Sequence, residues 1–165
     1  MSAYRYSYQG VALGGKYYVI GGYGAGYPAT LWIYDPVTNT WDYTAPNMSV
    51  GRRYAHAGVC NGKIYVAGGY DATYLSGAEV YDPVANAWSP IASMPSTWLQ
   101  GADGVLADRF LVIAGGASAS TASASNGVWI YDAVTDQWSL SLMDHLLYGA
   151  EADIRARVAN KEVVI

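Results

Sequence analysis

The chain has one cysteine, Cys60, and one phenylalanine in 165 residues. One cysteine excludes a disulfide within the chain and leaves the redox compartment open. Cys60 stands between Val59 and Asn61 with no histidine or basic cluster beside it, so it reads as a small buried hydrophobe rather than a reactive thiol. Histidine is nearly as scarce: His56 and His145 are far apart and lack ligand spacing, so neither a metal nor a cofactor is expected. Positive charge is sparse as well. Nine Lys and Arg against 13 Asp and Glu give a net charge of −4, which argues against a nucleic-acid partner. No apolar run approaches a membrane span, and no membrane partner is expected. The N-terminal MSAYRYSYQG has neither a basic n-region nor an apolar h-region. With the single cysteine, this favours a cytoplasmic location.

What the chain has in quantity is tyrosine (16), tryptophan (6) and glycine (19). Tyrosine and tryptophan combine an apolar body with a polar tip, which suits both inter-element packing and wet binding faces. These residues recur in register. The doublets Gly21-Gly22, Gly68-Gly69 and Gly115-Gly116 are 47 residues apart. Each is followed by a Tyr-Asp pair (Tyr34-Asp35, Tyr81-Asp82, Tyr131-Asp132) and, seven residues after the tyrosine, by Trp41, Trp88 or Trp138. A fixed period of this length signals a repeat architecture.

The doublet, Tyr-Asp and tryptophan pattern resembles the kelch repeat, and residues 51–95 look like one complete unit. The style is closest to the kelch domains of BTB–kelch adaptor proteins. The resemblance implies an all-β fold, a kelch-type β-propeller in which each repeat forms one four-stranded blade. Kelch propellers include adaptors, sugar-processing enzymes and oxidases, so the fold alone does not choose a function.

Four strands are expected per repeat. The first runs over 6–13, 54–60 and 104–107, the second over 16–20, 63–67 and 109–114, and the third over 31–34, 78–81 and 128–131. The second strands are apolar on both faces, as expected where neighbouring blades cover both sides. Asp-Pro-Val hairpin loops follow the third strands, although the third copy reads Asp132-Ala133-Val134. Trp41, Trp88 and Trp138 then open the outer strands as blade-to-blade packing. Met48, Met94 and Met143 read as core or rim packing before each crossing. Blade three carries three extra residues within Ala117–Asn126, a Ser/Ala/Thr stretch that reads as a flexible loop rather than a binding one.

The expected blades span about 1–48, 49–95 and 96–144, with a half-blade at 145–165. Three and a half blades make a partial propeller, short of the usual 4–8. Either the chain is a fragment completed by missing blades, or a second copy closes the ring.

In kelch adaptors the partner docks on the face formed by the loops between strands two and three and by the crossings between blades. The matching segments here place Tyr23, Tyr27, Tyr70, Asp71, Tyr74, Arg52, Arg53, Trp98, Gln100, His145 and Tyr148 on that face. Tyrosine, tryptophan and arginine dominate interface energetics. One of Arg52 and Arg53 occupies the position where kelch adaptors often carry an arginine that pairs with acidic groups. His56, three residues after Arg53, matches a position that is structural in many kelch units. The favoured reading is a non-enzymatic protein-interaction module, with a substrate adaptor as its finer form. The alternatives are a sugar-active kelch enzyme resembling sialic-acid mutarotases and a self-assembling structural half-propeller. No catalytic residue is singled out.

Overall fold

Each glycine doublet closes a strand that is apolar on both faces, and the fold follows from how those faces are covered. A computed structural model describes residues 4–99, 101–118 and 127–142. Blade one comprises β1 (Gln9–Leu13), β2 (Lys16–Ile20), β3 (Leu31–Asp35) and β4 (Thr40–Asp42). Blade two comprises β5 (His56–Cys60), β6 (Lys63–Ala67), β7 (Ala78–Asp82) and β8 (Ala87–Ile91). A short strand β9 (Trp98–Leu99) precedes blade three, formed by β10 (Ala102–Leu106), β11 (Phe110–Ala114), β13 (Gly127–Asp132) and β14 (Gln137–Leu142); β12 (Ala117–Ser118) pairs back on β9. Each blade is an antiparallel meander with its strands hydrogen-bonded in chain order. The described residues contain no helix. The expected half-blade at 145–165 and most of the extra Ser/Ala/Thr loop lie outside the described residues.

Turn chemistry fixes the register. The β1–β2 hairpin turns on Gly14-Gly15 and the β5–β6 hairpin on Asn61-Gly62, all four residues at positive φ, as a two-residue hairpin requires. At the β3–β4, β7–β8 and β13–β14 loops, Asp35, Asp82 and Asp132 accept backbone N–H bonds from Val37, Val84 and Val134. Asn39, Asn86 and Asp136 take left-handed φ and accept the hydroxyls of Tyr34, Tyr81 and Tyr131. The third loop keeps this geometry without proline, because the aspartate and tyrosine bonds define the turn.

The two faces of β6 show why its sequence does not alternate. Ile64 and Val66 enter one core with Tyr18, Ile20 and Leu31 of blade one. Tyr65 and Ala67 enter a second core with Leu111, Ile113, Trp129 and Tyr131 of blade three. Successive strand side chains point to opposite faces, so a strand between two blades needs apolar residues on both. In β2, Tyr18 and Ile20 face blade two, whereas Tyr17 on the other flank is 39% exposed. Met48 and Met94 are buried at the crossings, and their N–H groups donate to Ala29 and Ser76. Gly21 is required where the chain leaves β2: its φ is +61°, and a Cβ there would collide with the Arg52 carbonyl oxygen.

Two of the three tryptophans, Trp88 and Trp138, join the blades as expected. Trp88 Nε1 donates to the Pro46 carbonyl at 2.9 Å and Trp138 Nε1 to the Ala92 carbonyl at 2.8 Å, each in the preceding blade. Trp41 has no such bond among the described residues; it lies over Tyr34 and stacks with Tyr43. Trp88→Phe is therefore expected to cost about 1 kcal/mol of stability, the net worth of the lost bond, and Trp41→Phe clearly less. Urea denaturation of both variants checks this; equal costs would contradict the inter-blade role.

Candidate functional site

The adjacent arginines of the crossing into blade two have opposite fates. Arg52 is 2% exposed. Its Nη1 donates to the carbonyls of Gly68 (2.9 Å) and Gly77 (2.7 Å), and its Nη2 to Glu79 Oε1 (3.0 Å). Its Nε donates to the Val50 carbonyl, while Glu79 Oε2 accepts the Ser49 N–H. Burial pulls the Arg52 pKa down, and the Glu79 carboxylate pulls it back. The two carbonyls it holds flank the β6–β7 loop, so Arg52 closes the base of the loop that carries Tyr70 and Tyr74. This corrects the expectation that Arg52 serves the loop face: its donors are committed inside the blade. Arg5, 47 residues earlier, instead stacks its guanidinium 3.6 Å from the Trp32 ring centroid, because Trp32 stands where blade two has Glu79.

Arg53 points the other way. Its backbone pairs with Tyr70 in an antiparallel bridge, as Tyr6 pairs with Tyr23. The Arg53 guanidinium lies 4.8 Å from the ring centroid of Tyr23, 5.5 Å from Tyr27, 4.8 Å from Tyr54 and 5.2 Å from Tyr70. Such contacts hold a cation by the ring quadrupoles, each worth about 0.5–2 kcal/mol. No described carboxylate pairs with Arg53, and its buried Nε lacks a described hydrogen-bond acceptor.

The tyrosines form one continuous edge-to-face row. Centroids are 5.3 Å apart for Tyr6–Tyr23, 5.2 Å for Tyr23–Tyr27, 5.7 Å for Tyr27–Tyr70 and 5.3 Å for Tyr70–Tyr74. The row crosses from blade one to blade two, with Tyr6 (55% exposed) and Tyr74 (46% exposed) at its ends. Asp71 shapes the row: its Oδ1 accepts the Thr73 N–H (3.1 Å) and hydroxyl (2.7 Å), folding the loop so that Tyr70 and Tyr74 meet. Tyr54 holds a left-handed φ of 55° and donates its N–H to the Ser7 carbonyl of blade one. That backbone is unusual for a bulky residue, and it sets the Tyr54 ring against Arg53.

The structure thus brings together Arg53, Tyr23, Tyr27, Tyr70 and Tyr74, with Asp71 as a turn former. Trp98 lies in β9, its backbone paired with Ser118. Gln100, His145 and Tyr148 lie outside the described residues. Tyr6 and Tyr54 were missed by sequence reasoning. The repeat carries the signal for Tyr6, which stands 47 residues before Arg53; nothing in the sequence marks the strained turn at Tyr54.

A second polar cluster stands on the innermost strands. Gln9, His56 and Asp103 are the same repeat position in three blades, 47 residues apart, and they converge. Asp103 Oδ2 accepts the Ala57 N–H (3.1 Å) and Gln9 Nε2 (3.3 Å), and lies 3.5 Å from His56 Nδ1 without hydrogen-bond geometry. One carboxylate therefore touches three blades. His56 is fully buried, which suits a structural role. No group of three or more His, Cys, Asp or Glu residues positioned to hold a metal exists among the described residues. Cys60 is buried, and burial with nearby Asp108 pushes its thiol up to about 11, so it is not poised as a nucleophile.

Acid sensitivity resides in the turn aspartates. The bidentate Arg109 pair (2.8 and 2.5 Å) holds Asp132 well below the usual carboxylate range. The Lys63 ammonium and the N–H groups of Ala85 and Val84 lower Asp82, and the N–H groups of Val37 and Thr38 lower Asp35. A carboxyl whose folded pKa is depressed stabilises the fold above its unfolded value, and that contribution disappears as pH falls through the folded value. The urea midpoint is expected to fall on acidification below about pH 4, the unfolded aspartate range. Asp132→Asn should flatten that fall; an unchanged pH profile in the variant would contradict the assignment.

Comparison with known proteins agrees with this architecture. No curated protein matches the chain. The Kelch motif family matches residues 4–48 and 51–95, which are blades one and two; blade three repeats their strand order. Kelch repeats generally mediate protein interaction. The chain belongs to the kelch-motif family and folds as part of a kelch β-propeller.

Proposed function

We propose that the chain is a protein-interaction module that anchors a partner protein on the loop face around Arg53. The observation that carries this reading is the state of Arg53. It is a guanidinium held by four tyrosine rings, with no described carboxylate as its counter-ion. A guanidinium offers five N–H donors in a planar fork suited to a carboxylate. An acidic side chain of the partner is its natural complement.

On this reading Tyr23, Tyr27, Tyr70 and Tyr74 supply contact area at low entropic cost, Tyr6 extends the row, and Tyr54 buttresses Arg53. Asp71 holds the loop in shape. Trp98 belongs to the proposed binding set, as do Gln100, His145 and Tyr148, which lie outside the described residues. Further blades or a second copy complete the ring. The adaptor role, in which the bound protein is presented to other machinery, belongs to the same proposal and rests on the stylistic resemblance to BTB–kelch proteins.

The test is comparative capture. Immobilised wild-type chain and an Arg53→Ala variant of unchanged melting temperature are exposed to the same lysate, and retained proteins are identified and their affinities measured. A partner held by the wild-type chain is expected to bind the variant roughly 30-fold more weakly, the loss of about 2 kcal/mol typical of an interface hot spot. Equal retention of every captured protein by the two chains would overturn the reading.

A further inference from the structure

The junction of blades one and two carries a polar cleft of about 290 Å³. It lies at the end of β2 remote from the glycine doublet, and so away from the tyrosine row. The strand register builds one wall. Tyr18, Ile33 and Asp42 stand side by side on β2, β3 and β4; two positions along, on the same face, Asp35 pairs with Thr40 beside Lys16. Tyr81, Pro83 and Asn86 of blade two form the other wall. Unused hydrogen-bonding groups line the space. Tyr18 is 5% exposed, yet its hydroxyl meets no partner among the described residues. Asp42 spends Oδ1 on the N–H and hydroxyl of Thr44, both at 2.7 Å, and leaves Oδ2 without a described partner. Asn86 spends Oδ1 on the Tyr81 hydroxyl and leaves its amide N–H groups. Lys16 Nζ lies 3.6 Å from Asp35 Oδ2, a loose pair at the surface. The second junction keeps the lysine, tyrosine and aspartate of this wall as Lys63, Tyr65 and Asp82, but changes the rest: Asp42 becomes Ser89, Thr40 becomes Ala87 and Asn86 becomes Asp136. There Asp136 Oδ1 accepts the Ala92 N–H as well as the Tyr131 hydroxyl, which ties the segment after β8 across the gap. No described bond ties Asn86 to the matching segment of blade one.

We propose that this cleft binds a small neutral polyhydroxy compound, a polyol or monosaccharide, with its hydroxyls on Asp42, Tyr18 and Asn86. The inference is independent of the loop-face reading. A hydroxyl both donates and accepts, and the cleft answers both needs. Asp42 Oδ2 accepts, the Asn86 amide and the Lys16 ammonium donate, and the Tyr18 hydroxyl does either. The Thr44 N–H and hydroxyl hold Asp42 below the usual carboxylate range, so it is a charged acceptor at neutral pH. Burial pushes the Tyr18 hydroxyl up, so it keeps its proton. Hydrogen bonds to an ionised acceptor are about twice as strong as neutral ones. Ile33 and Pro83 give the walls apolar surface for the carbon frame. Other ligand classes fit less well. An anion meets Asp35 and Asp42, a cation meets Lys16 and the Asn86 N–H groups, and an apolar ligand leaves the polar lining unpaired. The volume lies at the small end for ligand sites, which limits the occupant to one ring or a short chain.

The full chain is titrated with glucose, galactose, myo-inositol and sorbitol, and binding is followed by backbone amide chemical shifts in NMR. At least one compound is expected to saturate, with its shifts confined to β2, β3, β4 and the β7–β8 loop; sorbitol against the cyclic compounds separates an open chain from a ring. Asp42→Ser, which brings in the residue type of the second junction, should weaken that binding about tenfold. Tyr18→Phe removes only an unpartnered hydroxyl and so leaves the fold intact; it should weaken binding about fivefold. Arg53→Ala should leave it unchanged, because the loop face lies elsewhere. Failure of every compound to saturate would overturn the inference. So would saturation that both cleft variants leave unchanged, or tighter binding of methylammonium or acetate than of any polyhydroxy compound.

Discussion

Burial of Arg52 is the constraint on which the rest of the face depends. A guanidinium placed inside a β-structure is tolerable only with its donors matched, and here they meet three backbone carbonyls and Glu79. Two of those carbonyls, from Gly68 and Gly77, bracket the β6–β7 loop, so the charge also pins the loop's base. In an extended chain adjacent side chains point to opposite sides. Committing Arg52 to the interior therefore turns Arg53 toward the tyrosines. A breach of the Arg52–Glu79 pair would leave a buried unpaired charge, at a cost of roughly 3–5 kcal/mol, and would release the loop together with the arginine that neighbours it.

The same economy runs between blades. β6 shares its two faces between two cores, Trp88 and Trp138 reach back one blade, and the Asp103 carboxylate touches Gln9, His56 and Ala57. These contacts hold blades one and two close enough for the tyrosine row to pass from Tyr27 to Tyr70 without a break. The row is thus a product of blade packing, and it depends on the apolar cores far beneath it.

Much of the fold was legible because its signals are local and repeated. The second strands were found to within a residue, and the Asp-Pro-Val loops identified themselves by their turn chemistry. The innermost strands were less clear: β1 and β5 begin later than expected, at Gln9 and His56, because the residues before them form the bridge and left-handed turn at the face. Tyr23, Tyr27, Tyr70 and Tyr74 were legible from loop position and residue type, whereas Tyr6 and Tyr54 were not. Which of two adjacent arginines is buried was not, since that depends on Glu79, 27 residues away, being present in blade two and replaced by Trp32 in blade one. Nor was the convergence of Gln9, His56 and Asp103, whose three different chemistries hide one repeat position.

The central claim is that Arg52 is sealed in the blade while Arg53 sits among four tyrosine rings. Side-chain proton NMR of the arginines tests it most directly. The account predicts a slowly exchanging Arg52 Nε–H. It also predicts Arg53 side-chain protons shifted upfield by ring currents, with nuclear Overhauser contacts to Tyr23, Tyr27, Tyr54 and Tyr70. Arg53 resonances at random-coil positions without those contacts, or an Arg52 Nε–H in rapid exchange with water, would contradict it.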